Sequence, residues 1–482
     1  MSPITRFDYE APVPAVDELG RVHVLAIGGA GMSAVARLLL QAGLTVSGSD
    51  ARDSAMLGAL RADGATVWVG HEEAHLAGVD TVVVSSAIRE DNVELAAARA
   101  AGLRVLHRSQ ALAALAAGRV PVAVAGANGK TTTTSMLTVA LIDAGADPSY
   151  AIGGELSAAG TNAHVGGGRS MVIEADESDG SFLAYRPQVA IVTNVQPDHL
   201  DFYGTFEAVQ DAYLRFTGTI RPGGLLVACA DDAGSLQLAQ RAAAAGVRVL
   251  TYGTAPEADL RLCEVRFDGM TGRARLAGPA SGEGGELVIE VPGEHNLRNA
   301  AAAYLAATAG LGARPAEVLA GLRAYSGTRR RFEAKGEAAG VRVVDDYAHN
   351  PGKVAAVVAT AAPLARPGRL VAVFQPHLYS RTRDFAQSLA AGLAPADVAV
   401  ILDVYAARED PMPGVSGDLV AEHLRALPGE RQVRYVPDKA SAPRVVAELV
   451  RPGDLVLTVG AGDVTDVGPA VLELLEANPP PQ

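Results

Sequence analysis

Cysteine and aromatic residues are scarce in this chain of 482 residues. It contains two cysteines, Cys229 and Cys263, which excludes a disulfide framework and a cysteine-based zinc site. Aromatic residues make up 5% of the chain while hydrophobic residues make up 49%, so the core must consist mainly of Ala, Val and Leu. No run approaches the ~18 apolar residues of a membrane span, and the N-terminus lacks the apolar core of a signal peptide. We therefore expect a cytoplasmic protein without membrane insertion.

Negative charge predominates, with a formal net charge of −13. This balance argues against a general nucleic-acid binder, although local basic pockets for phosphate groups remain compatible with it. The length suggests about three domains. Short apolar runs alternate with helical patterns in the first and last blocks, and the middle block adds an alternating, Gly-rich stretch over 259–291. We predict an α/β protein with a Rossmann-like domain over 1–118, a mostly parallel central phosphate-loop domain with a small antiparallel section over 119–325, and a Rossmann-like domain over 326–482.

The segment VAVAGANGKTTTT, residues 122–134, joins an apolar run to a Gly-bounded loop and a helical pattern. In such a strand–loop–helix, backbone N–H groups and the helix N-terminus face an anion, while Gly-Lys-Thr serves phosphates and Mg²⁺. The loop is shorter than the common motif, because Val124 occupies the position of its first glycine. An ordinary strand-to-helix turn is the alternative. The predicted nucleotide-binding residues are Gly126, Ala127, Asn128, Gly129, Lys130, Thr131 and Thr132.

A second glycine cluster, HVLAIGGAGMS, lies near the start of the chain and is followed by Asp50 at the end of the next apolar run. The pattern is nearly a dinucleotide fingerprint and would then indicate an NAD-dependent oxidoreductase, but Ala26 occupies the fingerprint's first glycine position. Any nucleotide diphosphate, including that of a nucleotide-sugar, would satisfy the same loop. Close strand–helix packing is the alternative reason for the glycines. The predicted substrate-binding residues are Gly28, Gly29, Ala30, Gly31, Met32, Ser33 and Asp50.

Acidic residues and a histidine follow two further apolar runs of the middle block. Glu174 leaves the first run, with Glu177 as the second choice, and His199 leaves the next one beside two aspartates. Open α/β sheets bind ligands at the carboxyl ends of their strands, and a nucleotide-bound Mg²⁺ needs one or two carboxylates. These positions predict a metal or phosphate site, against the alternative of a solvated acidic turn.

Polar residues also cluster farther along the chain. Asn296 and Asn299 are spaced to share one helical face, where side-chain amides can pair with a purine edge, although Asn296 could instead cap the helix. The run Arg329–Arg331 supplies positive charge where the second and third blocks meet. The third block carries Asp346, His349, His377 and Arg381 after two of its apolar runs, which indicates a pocket for a small polar substrate.

Eight segments together resemble the Mur ligases of peptidoglycan synthesis, in that family's order and spacing, from about Arg21 to about Val467. Such a set is more specific than any single motif. The segments are HVLAIGGAGMS, GKTTTT, EADESDGSF, NVQPDHLDFY, GEHNLRNAAAA, RRRFE, DDYAHNPGKV and FQPHLYSRTRDF.

The resemblance implies an ATP-dependent ligase that joins L-alanine to the carboxylate of UDP-N-acetylmuramate through an acyl phosphate, as a monomer or weak homodimer. ATP and Mg²⁺, for which Mn²⁺ can substitute, would be the cofactors. A relative that attaches a preformed peptide to the same sugar is the alternative. The implied catalytic residues are Lys130, Glu174, His199, Arg331, Asp346 and His349; the implied metal ligands are Thr131, Glu174 and His199; Asn296 and Asn299 would contact adenine, Arg331 the γ-phosphate, and His377 and Arg381 the amino-acid side of the cleft.

The chain departs from the family pattern at three places. Ala127-Asn128 replaces the usual Thr-His, Gln196 replaces Glu, and Leu378 stands where Arg is common. Some relatives use a carbamylated lysine in the ATP site, but no lysine stands at the expected place after Asp201, so we do not predict one.

Overall fold

A computed structural model describes residues 6–282, 284–407 and 409–477, and it confirms the predicted α/β class. The chain divides into two compact units. The first comprises residues 1–290 with 294–326, and the second comprises residues 291–293 with 327–482. The first unit contains two sheets and the second contains one. No helix among the described residues combines the length and apolar character that crossing a membrane would require.

The N-terminal sheet is parallel and has the strand order β3-β2-β1-β4-β5. Its strands and helices are β1 Val22–Leu25, α1 Ala30–Gln41, β2 Val46–Asp50, α2 Ala55–Ala62, β3 Thr66–Val69, β4 Thr81–Val84, α3 Val93–Ala100, β5 Arg104–His107 and α4 Arg108–Leu115. Strands β1 and β4 are buried along their whole length, as expected for central strands covered on both faces, and the buried residues of β1 include His23. Sequence analysis did not single out β3, an edge strand that is as apolar as β4 but only partly buried.

The central sheet has ten strands in the order β15-β14-β13-β12-β11-β10-β6-β9-β7-β8. Its elements are β6 Val120–Ala125, α5 Lys130–Asp143, β7 Ser149–Ala151, β8 Ala163–His164, β9 Ser170–Glu174, β10 Val189–Val192, α6 Leu200–Tyr203, α7 Phe206–Gly218, β11 Leu225–Cys229, α8 Ala233–Ala244, β12 Arg248–Gly253, β13 Leu260–Asp268, β14 Thr271–Ala277, β15 Gly285–Ile289, α9 Glu294–Leu305 and α10 Pro315–Ala324. The strands from β13 to β15 pair antiparallel, which confirms the predicted antiparallel section. The neighbours β10, β6 and β9 are parallel, so the loops that follow them meet at one edge.

The sheet of the second unit has the order β16-β17-β21-β18-β19-β20, and only β16 and β17 pair antiparallel. Its elements are β16 Glu333–Ala338, β17 Val341–Asp346, α11 Pro351–Ala365, β18 Leu370–Phe374, α12 Tyr379–Leu393, β19 Val398–Leu402, α13 Asp418–Ala426, β20 Gln432–Val436, α14 Ala442–Leu449, β21 Leu455–Val459 and α15 Val467–Ala477. The carboxyl ends of β17, β21 and β18 are adjacent, and the loops that they begin carry most of the polar residues predicted for this block.

Small side chains allow the helices of the core to approach closely. Helix α5 packs against α10, where a Cβ at Gly321 would lie 2.7 Å from Ala140 Cα. Residues Ala300–Ala303 of α9 are fully buried between neighbouring elements. The core is therefore built mainly from Ala, Val and Leu, as the low aromatic content predicts.

Candidate active site

The loop between β6 and α5 depends on two glycines with positive φ. Gly126 has φ +133° and Gly129, which caps α5, has φ +86°. A Cβ at Gly126 would overlap Thr193 Oγ1, and one at Gly129 would lie 2.7 Å from Asn299 Oδ1. Larger residues would therefore strain the backbone and collide with neighbouring side chains at both positions. The first turn of α5, which follows this loop, therefore lies at the edge of the sheet where the parallel strands β6, β9 and β10 end.

The strand next to β6 holds this loop in place. Asn194 follows β10, and its amide accepts from Asn128 N–H (2.9 Å) and donates to Asn128 C=O (2.9 Å). The Thr193 hydroxyl also donates to Asn128 C=O, at 2.6 Å. Sequence analysis missed both supporting residues, although they stand directly after an apolar run.

Two of the three departures from the family pattern contact each other. Asn128 Nδ2 donates to Gln196 Oε1 at 3.0 Å. The family's usual residues at these positions are His and Glu, so a pair able to carry charge is replaced here by two neutral amides. The two residues thus link the phosphate loop to the segment after β10 by a hydrogen bond.

Lys130 and Thr131, the first two residues of α5, each contact a carboxylate. Lys130 Nζ donates to Gly126 C=O (2.7 Å) and to Glu177 (2.8 Å), while Thr131 Oγ1 donates to Glu174 Oε1 (2.9 Å). The other Glu174 oxygen accepts from Gly153 N–H at 2.6 Å. The two glutamates thus have different partners: Glu174 accepts from the Thr131 hydroxyl, and Glu177 accepts from the Lys130 ammonium group.

Burial and neighbouring charges shift the pKa values of Lys130 and Glu177. Burial opposes the charge of Lys130, but Glu177, Asp176 and Glu174 outweigh it and raise the pKa of the ammonium group. Burial raises the pKa of Glu177, which is 2% exposed, and Lys130 and His199 counteract this only in part. Lys130 is therefore a fixed positive charge beneath the phosphate loop.

His199 lies beside Glu177 and immediately precedes α6. It has φ +54°, and its Nε2 atom lies 3.7 Å from Glu177 Oε1 and 3.9 Å from Asp198 Oδ2. Of the three predicted metal ligands, Thr131 and Glu174 are hydrogen-bonded to each other. His199 lies next to a different glutamate, Glu177. Within the described part of the chain, no group of three or more His, Cys, Asp or Glu side chains is arranged as a metal site.

The two asparagines of α9 lie against the same loop. Helix α9 begins at Glu294, so Asn296 stands inside its first turn and is not the residue before it. Asn299 Nδ2 donates to Asn296 Oδ1 at 3.2 Å, which places the two amides on one face as predicted. Both are buried, and Asn299 is the residue that a Cβ at Gly129 would meet.

The first glycine cluster forms the turn between β1 and α1. Ala26 has φ +52°, and Gly28 N–H donates to Asp50 Oδ2 at 3.0 Å, so the predicted acidic residue contacts the predicted loop. Gly29 precedes α1 without a side-chain cap, and Ser33 is buried in the first turns of the helix with Met32. A Cβ at Gly31 would lie 2.7 Å from Arg108 Nη1.

In the second unit, the predicted polar residues gather beyond β17 and β18. The carboxylate of Asp346 accepts from Phe332 N–H (2.9 Å) and Ala348 N–H (2.8 Å), and burial raises its pKa although Arg331 opposes the shift. The Arg331 guanidinium carbon lies 5.4 Å from the centre of the Tyr347 ring. Arg331 and Asp346 therefore share one neighbourhood.

His349 is kept neutral in this cluster. Burial, reinforced by Lys353 and Arg381, lowers the pKa of its imidazole well below the usual range. In the neutral ring, Nδ1 lies 3.0 Å from Tyr347 C=O and must donate to it, which leaves Nε2 as the basic nitrogen. The His377 ring follows at 5.8 Å from the His349 ring.

Arg330 and Leu378 have structural tasks in the same region. Arg330 donates to Gly460 C=O (2.6 Å) and Gly462 C=O (2.9 Å), so this arginine ties its loop to the end of β21. Leu378, the third departure from the family pattern, has φ +68° and donates its N–H to Tyr405 C=O at 3.0 Å. Leu378 directly precedes α12, and its C=O accepts from Thr382 N–H at 3.0 Å.

Comparisons with known proteins cover almost the whole chain. Family models match at residues 21–120 (Mur ligase family, catalytic domain), 124–307 (Mur ligase middle domain) and 330–462 (Mur ligase, glutamate ligase domain). A UDP-N-acetylmuramate–L-alanine ligase of Kineococcus radiotolerans is 58% identical over 96% of this chain and 98% of its own length. A protein of the same name from Saccharopolyspora erythraea is 54% identical over 95% and 94%.

A solved structure supports the same assignment. The UDP-N-acetylmuramate–alanine ligase of Thermotoga maritima superposes with a TM-score of 0.79 at 27% identity, covering 95% of this chain and 99% of that one. The phosphate loop, the two glutamates beside it and the polar residues after β17 and β18 thus lie within the segments that the family models match. The chain belongs to the Mur ligase family.

Proposed function

We propose that this protein is an ATP-dependent ligase that joins L-alanine to the carboxylate of UDP-N-acetylmuramate, releasing ADP and phosphate. The observation that carries the proposal is the 58% identity, over nearly the full length of both chains, to a relative named for this reaction. The site supports it with a phosphate loop, a fixed ammonium group and paired carboxylates in the first unit. A neutral imidazole lies among polar groups in the second.

The first step transfers the γ-phosphoryl group of ATP to the muramoyl carboxylate. The bond between the γ-phosphorus and the bridging oxygen breaks, ADP leaves, and an acyl phosphate forms. This activation is needed because a free carboxylate is a poor acceptor for an amine. Lys130 offsets charge on the phosphoryl oxygens, while N–H groups of the loop and of the first turn of α5 hold the phosphates.

The residues of the site fit a Mg²⁺ ion that arrives with the nucleotide. The Thr131 hydroxyl and the Glu174 carboxylate are hard oxygen donors in contact with each other, and a nucleotide-bound Mg²⁺ takes its remaining ligands from phosphates and water. When bound, the ion supplies positive charge to the phosphate oxygens. His199 remains a proposed ligand that would act beside Glu177. Arg331 is kept as the proposed contact of the γ-phosphate, and Asn296 and Asn299 as the proposed contacts of adenine.

The second step forms the amide bond. The neutral amine of L-alanine attacks the acyl carbon, the tetrahedral intermediate collapses, and the carbon–oxygen bond to phosphate breaks. The alanine ammonium must lose a proton before attack. His349 and Asp346 are the two candidates for accepting this proton. The Nδ1 hydrogen bond of His349 leaves Nε2 as an acceptor, but burial, reinforced by Lys353 and Arg381, lowers the pKa of the imidazole and weakens it as a base, whereas burial raises the pKa of the Asp346 carboxyl.

A product assay tests the proposal. The purified protein is given ATP, Mg²⁺ and UDP-N-acetylmuramate with either L-alanine or a tripeptide, and products are identified by mass spectrometry. We expect a single alanine adduct with one ADP per product. Preferential use of the tripeptide would establish the peptide-adding alternative, and a mixture without ATP-dependent product would refute ligase activity. A parallel reaction with NADH and no ATP tests the oxidoreductase reading of the first glycine cluster.

A further inference from the structure

Arg108 lies between the first glycine cluster and the acidic loop that follows β9, both in the first unit. It is the first residue of α4, directly after β5, and its side chain extends to the start of α1. There Nη1 lies 2.7 Å from the position that a Cβ of Gly31 would take. On its other side, Nη2 lies 2.7 Å from Asp176 Oδ2, in the loop that follows β9 of the central sheet. One guanidinium thus lies beside the first glycine cluster and contacts the acidic loop after β9, whose Glu177 pairs with Lys130.

Asp176 connects this guanidinium to the phosphate loop electrostatically. Partial burial opposes ionisation of its carboxyl, but Arg108 and Lys130 lower its pKa below the usual range. Asp176 in turn raises the pKa of Lys130, which pairs with Glu177. Arg108, Asp176, Lys130 and Glu177 therefore form a series of alternating charges that runs from the first glycine cluster to the nucleotide site.

The guanidinium retains unused hydrogen-bonding capacity. Arginine carries five N–H donors in a planar fork, and among the described residues Asp176 is the one acceptor that Arg108 donates to. The side chain is 27% exposed, so the remaining edge is accessible. This edge faces the first turn of α1, which has no side-chain cap. Unused donors beside an uncapped helix start form an arrangement that suits an anion, and the substrate of the proposed reaction brings two phosphates.

We propose that Arg108 binds the diphosphate of the sugar nucleotide through its open edge while its Nη2 remains on Asp176. Arg108 is then a substrate-binding residue that also fixes the position of the sugar nucleotide relative to the phosphate loop. This inference rests on the proposed function, because it takes the first glycine cluster as the site of the sugar nucleotide. The inference also explains why position 31 is a glycine, since a larger residue there would displace the guanidinium.

Calorimetry with UDP-N-acetylmuramate on the ATP-free protein separates substrate binding from a purely structural ion pair. We expect Arg108→Ala to weaken binding roughly 10- to 100-fold, the factor expected for a lost charge-assisted hydrogen bond. Arg108→Lys keeps the charge but not the fork and should lose less. Asp176→Asn removes the ion pair but leaves the open edge, so its affinity should stay within about threefold of wild type. Arg99→Ala is the matched control, because Arg99 lies on α3 and also pairs with a carboxylate, that of Glu90.

The same variants are then assayed for turnover. In Arg108→Ala, we expect the KM for UDP-N-acetylmuramate to rise by the factor seen in calorimetry, while the KM for ATP changes far less. Equal losses of affinity in Arg108→Ala and Asp176→Asn would show that Arg108 only supports the loop, and an unchanged affinity in Arg108→Ala would overturn the inference outright. A wild-type protein that binds UDP-N-acetylmuramate but forms no alanine adduct would instead contradict the proposed function and leave the binding role of Arg108 intact.

Discussion

The two glycine-rich loops of the first unit both join a buried strand to a helix, yet their glycines serve different neighbours. In the loop before α5, Gly126 and Gly129 have positive φ and face atoms of Thr193 and Asn299. In the loop before α1, the close neighbour of Gly31 is the tip of a long side chain, Arg108. The glycines of the loop before α5 are therefore required by positive φ and by short neighbouring side chains, whereas Gly31 lies beside the flexible end of a long side chain.

The loop before α1 also shows that the backbone turn of a dinucleotide-binding fingerprint can form without the fingerprint's first glycine. Ala26 stands where a dinucleotide fingerprint has its first glycine, and this difference argued against an oxidoreductase. The alanine nevertheless has φ +52°, the left-handed conformation that glycine would favour. Gly28 N–H still contacts Asp50, as such a turn requires. The backbone turn alone therefore does not identify the ligand, and the residues around it must.

The largest expected effect comes from Lys130. Lys130→Ala should lower kcat at least about 100-fold, because it removes the fixed positive charge next to the transferring phosphoryl group. Binding of UDP-N-acetylmuramate should stay near wild type, since the lysine belongs to the phosphate loop before α5. Turnover assays and calorimetry measure the two, with Lys439→Ala in the second unit as control. A variant that keeps a tenth of wild-type kcat would remove Lys130 from the phosphate site.

Substitution of Gly126 should be the next most damaging change. A Cβ there would combine strained φ with overlap onto Thr193, so we expect Gly126→Ala to lose about 2–4 kcal/mol of unfolding free energy. Nucleotide binding should be lost with it. Gly145→Ala is a matched control, because Gly145 has φ +72° but open space around its Cα and should lose only about 1 kcal/mol. Thermal unfolding with and without ADP measures both, and equal losses would show that contact with Thr193 does not matter.

The metal assignment distinguishes Glu174, at the end of β9, from Glu177 in the loop that follows. Glu174→Gln should raise the Mg²⁺ concentration for half-maximal activity about tenfold or more at fixed ATP, because it replaces a carboxylate ligand by an amide. His199→Asn should shift it in the same direction. Glu207→Gln on α7 serves as control. If only Glu177→Gln changes the Mg²⁺ dependence, the carboxylate beside Lys130 is the ligand and our choice of Glu174 is wrong.

The smallest effect is expected at Gly31. Gly31→Ala should raise the KM for UDP-N-acetylmuramate about 2- to 10-fold, since the Arg108 side chain can shift at the cost of a poor rotamer. The KM for ATP should not change. Steady-state kinetics with each substrate varied gives the answer. A loss beyond a hundredfold would mean that Gly31 lies directly against the ligand, and the contrast between the two loops would disappear.

The sequence predicted the α/β class, the family and many central strands, because buried strands such as β4 and β18 are continuous apolar runs. It missed the edge strands β3 and β20. In β20 the apolar residues are interrupted by Arg434, whereas β3 is as apolar as β4 and differs from it in burial, which the sequence does not show. It also did not predict that Glu177 pairs with Lys130, and it passed over Arg108. Their partners, Lys130 and Asp176, are 47 and 68 residues away, and a separation of that kind becomes visible only once the strands are ordered. The roles of the site residues stay predictions.

The hydrogen bond between Lys130 and Glu177 has a consequence for inhibition by the reaction's own product. A phosphate loop with an unpaired lysine would attract any small anion, including the inorganic phosphate that each turnover releases. Here an anion must first displace a carboxylate that is almost completely buried. A nucleotide makes many further contacts and brings its own cation, whereas free phosphate makes few and brings none. Free phosphate is therefore a weaker competitor for Lys130 than a nucleotide with its cation.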